Sequence, residues 1–178
     1  MKTKSGKTRV PSREASRAGA SKSLSSRTPF ELKQILVPTD FSPASESALR
    51  YAAFLARQSG AKITLVYVLE PIPYPYDFGA AFPLVAETDD LMADAKTRLG
   101  IAAKSNGLDA ATLSPPLVRT GQPFQEICSA AQELKMDLVV IATHGYTGLK
   151  HVVLGSTAER VVRHAPCPVL VVREPEEG

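Results

Sequence analysis

Two places in the sequence pair residue types that hold anions with residue types that read a nucleoside. The first runs from Ala142 to Thr157. Gly145 and Gly148 let the backbone turn sharply and bring its N–H groups near a ligand. Gly155-Ser156-Thr157 then opens a segment with helical spacing. Unpaired amides at a helix start, with the helix dipole behind them, favour an anion such as phosphate. Two small hydroxyls add donors without blocking access. A plainer reading is also open: the glycines turn the chain, and Ser156 caps a helix with Glu159 as its capping-box partner. No Lys follows Gly155, so the stretch is not a P-loop.

The second place is Val37-Pro38-Thr39-Asp40-Phe41. The Asp40 carboxylate can accept hydrogen bonds from ribose hydroxyls or an adenine amino group, or help hold a metal. Thr39 can present backbone or hydroxyl groups to a base. Here too a structural reading stays open, because Asp40 or Ser42 can cap the next helix with Pro43 in its first turn.

Both places follow short apolar runs, and the rest of the chain shows why. "KQILVP" and "MDLVVIAT" suit strands buried on both faces; "KITLVYVLE" and "CPVLVVRE" read as further strands, and "ATLSPPLVRTG" as a weaker one. Between them lie helical patterns. Ala48, Tyr51, Ala52, Leu55 and Ala56 share one stripe, which stops at Gly60. Leu91, Ala95, Leu99 and Ala102 form a second stripe. Phe124, Ile127, Cys128 and Ala131 form a third, and Val161, Val162 and Ala165 a fourth. The segment "PIPYPYDFGAAFP", with prolines at 71, 73, 75 and 83, fits neither a regular helix nor a central strand. Strands alternating with helices predict an α/β fold, an open parallel sheet with helices on both faces. Such sheets bind ligands beyond the carboxyl ends of their strands, where strand order reverses. Pro38-Thr39-Asp40 and Thr143-His144-Gly145 stand there.

Composition narrows the class. With 44% apolar and 22% charged residues the chain reads as globular. No apolar run approaches the roughly 20 residues of a membrane helix. The N-terminus lacks the apolar core of a secretory signal. Cys128 and Cys167 have no metal-like spacing and read as small buried fillers in a reducing compartment, so a cytoplasmic location is expected. The charge is uneven. Residues 1–28 hold eight Lys/Arg against Glu14 alone, a net +7, so the other 150 residues carry −4 of the chain's +3. We read residues 1–29 as a disordered basic tail, 30–174 as one domain and 175–178 as a C-terminal tail. The basic tail is expected to solubilise the chain or to contact anionic partners, nucleic acid or membrane. An organelle transit peptide has a similar composition.

Over roughly residues 30–173 the chain resembles a universal stress protein domain. The resemblance rests on "ILVPTDFSPASESAL", "ITLVYVLEP" and "MDLVVIATHGYTGLKHVVLGSTAERVVRHAPCPVLVV". Members that bind ATP resemble a G-x2-G-x9-G-[ST] pattern. Gly145, nine residues, then Gly155-Ser156 fit it, and Ala142 stands at its first glycine. The resemblance implies a Rossmann-like fold of the adenine nucleotide alpha hydrolase type. It has a five-stranded parallel sheet with an adenine nucleotide across its carboxyl edge. It further implies Pro38, Thr39 and Asp40 beside adenine and ribose, with Val68 offering backbone to the base. Ile141 and Ala142 would line the ribose side, and Gly145, Gly155, Ser156 and Thr157 would surround the phosphates. ATP, with Mg or Mn accompanying it, is the implied cofactor. A homodimer through the last strand, Pro168–Val172, is the implied assembly.

No Ser/His/Asp order, HExxH or paired-carboxylate spacing emerges as a catalytic set. His151 and His164 read as surface or helix-end residues, and His144 as a turn residue beside the proposed site. Tyr74, Tyr76 and Phe78 can shape a lid or simply pack their own loop. The expected function is stress-related regulation by binding ATP, with at most weak hydrolysis. The alternatives are an interaction scaffold of the same fold that binds no nucleotide, and a nucleotide-using transferase or hydrolase.

Overall fold

The computed structural model describes residues 31–71, 84–143 and 154–173. The basic tail, the Pro- and Tyr-rich segment from 72 to 83, and Gly145 and Gly148 with their neighbours lie outside the described residues, as does the C-terminal tail. The elements run β1 (Gln34–Pro38), α1 (Pro43–Ser59), β2 (Lys62–Leu69), α2 (Leu84–Ser105), β3 (Leu117–Thr120), α3 (Pro123–Glu133), β4 (Leu138–Ala142), α4 (Ser156–His164) and β5 (Val169–Val172). The strands form one parallel sheet in the order β3-β2-β1-β4-β5. The chain winds outward from β1 to β3, then crosses to β4 and winds the other way. The reversal therefore falls between β1 and β4, where the sequence places Asp40 and Thr143.

Strand alternation assigns the two core layers. Ile35, Val37, Ile63, Leu65 and Val140 face α1 and α2, packing on Ala48, Ala52 and Leu99. Leu36, Val66, Val139 and Ile141 face α3 and α4, packing on Ile127, Ala130, Ala158 and Val161. A sheet covered on both faces needs uninterrupted apolar strands, which is why the β1 and β4 runs read as they do.

Three helix stripes differ from the expected ones. Tyr51 is exposed, and α1 buries Ala44, Ala48, Leu49, Ala52, Ala53 and Ala56, a flat alanine face that lies close on the sheet. Leu91 is 55% exposed, and α2 is held by Ala95, Leu99 and Ala103. Val162 is exposed while Ala158 and Val161 are buried. In each case the apolar residue lies about one position off the buried stripe, because spacing alone does not fix the helix rotation within a turn. Gly60 ends α1 with φ 74°, the left-handed stop expected of it.

Elsewhere charge fixes the frame. Asp137 accepts the amides of Lys33 and Gln34 at 2.9 and 2.8 Å, which ties the start of β1 to the start of β4. Arg119 of β3 donates to both carboxylate oxygens of Glu133 on α3, and its guanidinium lies 3.6 Å from Glu126. The hydrogen bond from Arg119 pushes the Glu133 carboxyl below its ordinary value of 4.5. A depressed carboxyl stabilises the fold above that value, and the contribution is lost as pH falls through the folded-state pKa. Glu133→Gln is therefore expected to lower Tm at neutral pH by no more than about 3 °C, as suits an exposed pair. The difference from wild type should shrink below pH 4.5 in thermal melts. A difference independent of pH would assign Glu133 no ionic role.

Candidate functional site

Beyond the carboxyl ends of β1, β2 and β4 lies a cleft of about 410 Å³. The end of β1 supplies one wall. Pro38 is buried as the last strand residue, and Thr39 and Asp40 follow it half-exposed. Ser42 is the cap of α1: its backbone is extended (φ −77°, ψ 159°) and its hydroxyl accepts the Ser45 amide at 3.2 Å. Asp40 serves that cap from behind. Its Oδ1 accepts the Ser42 hydroxyl at 2.6 Å and the Ser42 amide at 3.0 Å. The capping and binding readings of this stretch are thus compatible, since Ser42 caps while Asp40 lines the cleft.

Hydroxyls continue the network. Ser45 Oγ donates to the Ser42 carbonyl at 2.9 Å and lies 3.0 Å from Thr39 Oγ1. With the Ser45 proton so used, Thr39 is the donor of that pair. Thr39 Oγ1 in turn accepts the Phe41 amide at 3.0 Å. Phe41 has φ 64°, the left-handed region that costs a bulky residue about 1–2 kcal/mol. The hydrogen bonds on either side of it make the turn that brings Asp40 to the cleft.

The opposite wall comes from β4 and α4. Thr143 leaves β4 and Gly155 enters α4, and the Gly155 amide donates to the Thr143 carbonyl at 2.8 Å. That bond sets the start of α4 beside the end of β4. The expected capping box is absent. Gly155 is the cap position and no side chain caps the helix; Ser156 is already the first helical residue. Glu159 pairs with Arg163 at 2.9 Å. The reason is register: the helix starts one residue earlier than the box requires, so Ser156 stands inside the first turn rather than at the cap. Among the described residues no acceptor meets the amides of Ser156, Thr157 and Ala158, and all three residues line the cleft.

The sequence-derived site residues converge. Pro38, Thr39, Asp40 and Val68 line the cleft from β1 and β2. Ile141 and Ala142 line it from β4, and Gly155, Ser156 and Thr157 from α4. Gly145 is outside the described residues. Ala142 is only 8% exposed, and on the alternating strand its methyl belongs to the layer under α1. Sequence reasoning missed Tyr67, Glu70, Pro123 and Ile127, which also line the cleft. Glu70 and Pro123 follow the carboxyl ends of β2 and β3, so the rule that pointed to Asp40 would have found them. Among the described lining residues the charged side chains are Asp40 and Glu70, both carboxylates. An anion here would be met by amides, hydroxyls and the dipole of α4.

The cysteines do not belong to the site. Both are free and half-buried rather than fully buried, packed at the edge of the α3/α4 layer. Burial pushes both thiols up, which keeps them protonated fillers. His164 ends α4, exposed, with its Nδ1 2.8 Å from the Arg160 carbonyl. Among the described residues no group of three or more His, Cys, Asp or Glu could hold a metal, and no helix is long and apolar enough to cross a membrane.

The universal stress protein family model matches residues 31–173, nearly all of the chain outside the basic segment. The chain belongs to the universal stress protein family. A universal stress protein of Methanocaldococcus jannaschii is 34% identical over 149 residues, which cover 82% of this chain and 84% of that protein. Among solved structures, universal stress protein UspA from Lactobacillus plantarum superposes with a TM-score of 0.69 at 32% identity, over 80% of this chain and 99% of that one. A universal stress protein solved in complex with cAMP superposes with a TM-score of 0.58 at 25% identity, over 80% and 97% of the two chains. The sheet order found here, with the four described helices in two layers, is the universal stress protein fold of the adenine nucleotide alpha hydrolase type.

Proposed function

We propose that this universal stress protein binds an adenine nucleotide, ATP, in the cleft and acts by binding rather than by turnover. The observation that carries the reading is the uncapped start of α4. Three residues whose amides meet no acceptor among the described residues line the same cleft as a carboxylate held in place by Ser42. Phosphates take the amides of Ser156, Thr157 and Ala158, with Gly145 and Gly155 leaving room for close approach. The ribose hydroxyls take Asp40. The base lies by Pro38, Thr39 and the backbone of Val68, with Ile141 and Ala142 on the ribose side. The relative solved with cAMP supports an adenine nucleotide as the ligand class. The placement of the Ala142 methyl in the α1 layer supports the view that alanine is tolerated where the pattern has glycine. Because Asp40 and Glu70 repel a triphosphate, a divalent cation, Mg or Mn, is expected to enter with it.

Nucleotide binding orders the β4–α4 junction and biases a partner surface, a population shift driven by differential contact. In this reading residues 30–174 are the binding domain and 1–29 and 175–178 are tails. Assembly is a homodimer through Pro168–Val172. Strand β5 stands at the sheet's edge with Leu170 exposed, which supports that assignment. A cytoplasmic setting fits two free cysteines.

Native mass spectrometry at millimolar ATP tests both parts. The expected species is a dimer carrying one nucleotide per chain. A ligand-free mass under those conditions would favour the interaction scaffold, and a monomer would remove the β5 interface.

A further inference from the structure

We propose that Arg98, on α2 and outside the cleft, is a positioning residue for the Thr39–Asp40 edge, acting through the ring of Phe41. The proposal rests on the nucleotide reading for what that edge binds, while the clamp stands on its own geometry. The Phe41 ring touches two partners. Tyr67, whose strand ends at the cleft, is 4.8 Å away centroid to centroid at a 40° tilt. The Arg98 guanidinium carbon sits 3.9 Å from the ring centroid on α2. Among the described residues Arg98 has no carboxylate within ion-pair distance, so its charge is committed to the ring face.

The need for a clamp follows from two further observations. Phe41 carries its left-handed backbone without the freedom of glycine, so the turn tends to relax unless its side chain is held. Beside it a second hollow of about 360 Å³ lies between α1 and α2, lined by Phe41, Leu49, Arg98 and Ile101. The ring therefore has space to swing into. Thr39 and Ser45 line both the hollow and the cleft, and the Phe41 amide is bonded to Thr39 Oγ1. A ring that swings outward pulls that amide from Thr39, and Asp40, between them, turns with it. Arg98 closes this path by a cation–π contact from a helix that contributes no described residue to the cleft.

The test compares Arg98→Met, which keeps the apolar stem and removes the cation, with Arg98→Lys, which keeps a cation. Amide hydrogen exchange of residues 39–45 is measured on ligand-free protein, ATP affinity by calorimetry, and Tm in parallel. In Arg98→Met, exchange at Phe41 and Ser42 should rise locally and ATP affinity should fall about threefold to tenfold, the range of one cation–π contact. Tm should move by less than about 3 °C, and Arg98→Lys should recover most of the loss. Unchanged exchange at Phe41 in Arg98→Met overturns the clamp. Raised exchange with unchanged ATP affinity overturns the positioning role. A uniform rise in exchange across the sheet with a large fall in Tm would make Arg98 a general stability residue and overturn it as well. Should wild type bind no ATP, the nucleotide reading falls, and the exchange result still decides the clamp.

Discussion

Ser156→Asp is expected to stabilise the fold and to destroy nucleotide binding in the same molecule. Ser156 is the first residue of α4, and among the described residues no side chain caps that helix. A carboxylate there meets unpaired amides and the positive end of the dipole, worth about 0.3–1 kcal/mol, so Tm should rise by roughly 1–3 °C. The same carboxylate occupies the place proposed for phosphate. Two like charges about 4 Å apart near a protein surface repel by roughly 4 kcal/mol, so affinity for ATP should fall at least about a hundredfold. Ser156→Ala removes one hydroxyl donor and leaves the amides, so its loss should stay below about tenfold. Thermal melts and calorimetry on the three proteins check this. Opposite signs for stability and affinity in Ser156→Asp separate the phosphate cradle from a mere helix start. Binding undiminished in Ser156→Asp would put the ligand elsewhere.

The second large effect concerns the frame. Leu99 is fully buried and is the one large side chain among the described buried residues of α2, with Ala95 and Ala103 on either side. Leu99→Ala should cost about 2–5 kcal/mol, a fall in Tm of roughly 5–15 °C. Leu91, two turns earlier and counted on the same stripe by spacing, is 55% exposed. Leu91→Ala should therefore change stability by less than about 0.5 kcal/mol. Comparable losses for the two would mean that α2 buries a different face from the one described.

That pair also shows what the sequence could and could not convey. The parallel sheet and its helices were legible because strands buried on both faces have to be apolar throughout, and because Gly60 and Ser42 have side-chain reasons to end and begin a helix. The location of the cleft was legible for a topological reason: strand order reverses between β1 and β4, and Asp40 and Thr143 follow those strands. Helix rotation was less legible. Tyr51, Leu91 and Val162 each sit beside a buried position, and a large apolar residue at the rim of a stripe looks the same in sequence as one within it. The capping box at Ser156 failed because a one-residue difference in where α4 begins decides whether a hydroxyl caps the helix or fronts a cleft. Phe41 left no trace of its left-handed backbone, since its conformation is imposed by Thr39, Tyr67 and Arg98, one of them 57 positions further along. Glu70 and Pro123 were legible by the strand-end rule that found Asp40.

The account turns on three amides at the start of α4. The most direct measurement is an amide 1H–15N titration of the protein with ATP and Mg. The resonances of Ser156, Thr157 and Ala158 should shift downfield and saturate together, with the Thr39–Asp40 amides following the same binding curve. Saturable shifts at other residues with those three amides unmoved, or no shifts at millimolar ATP, would contradict it.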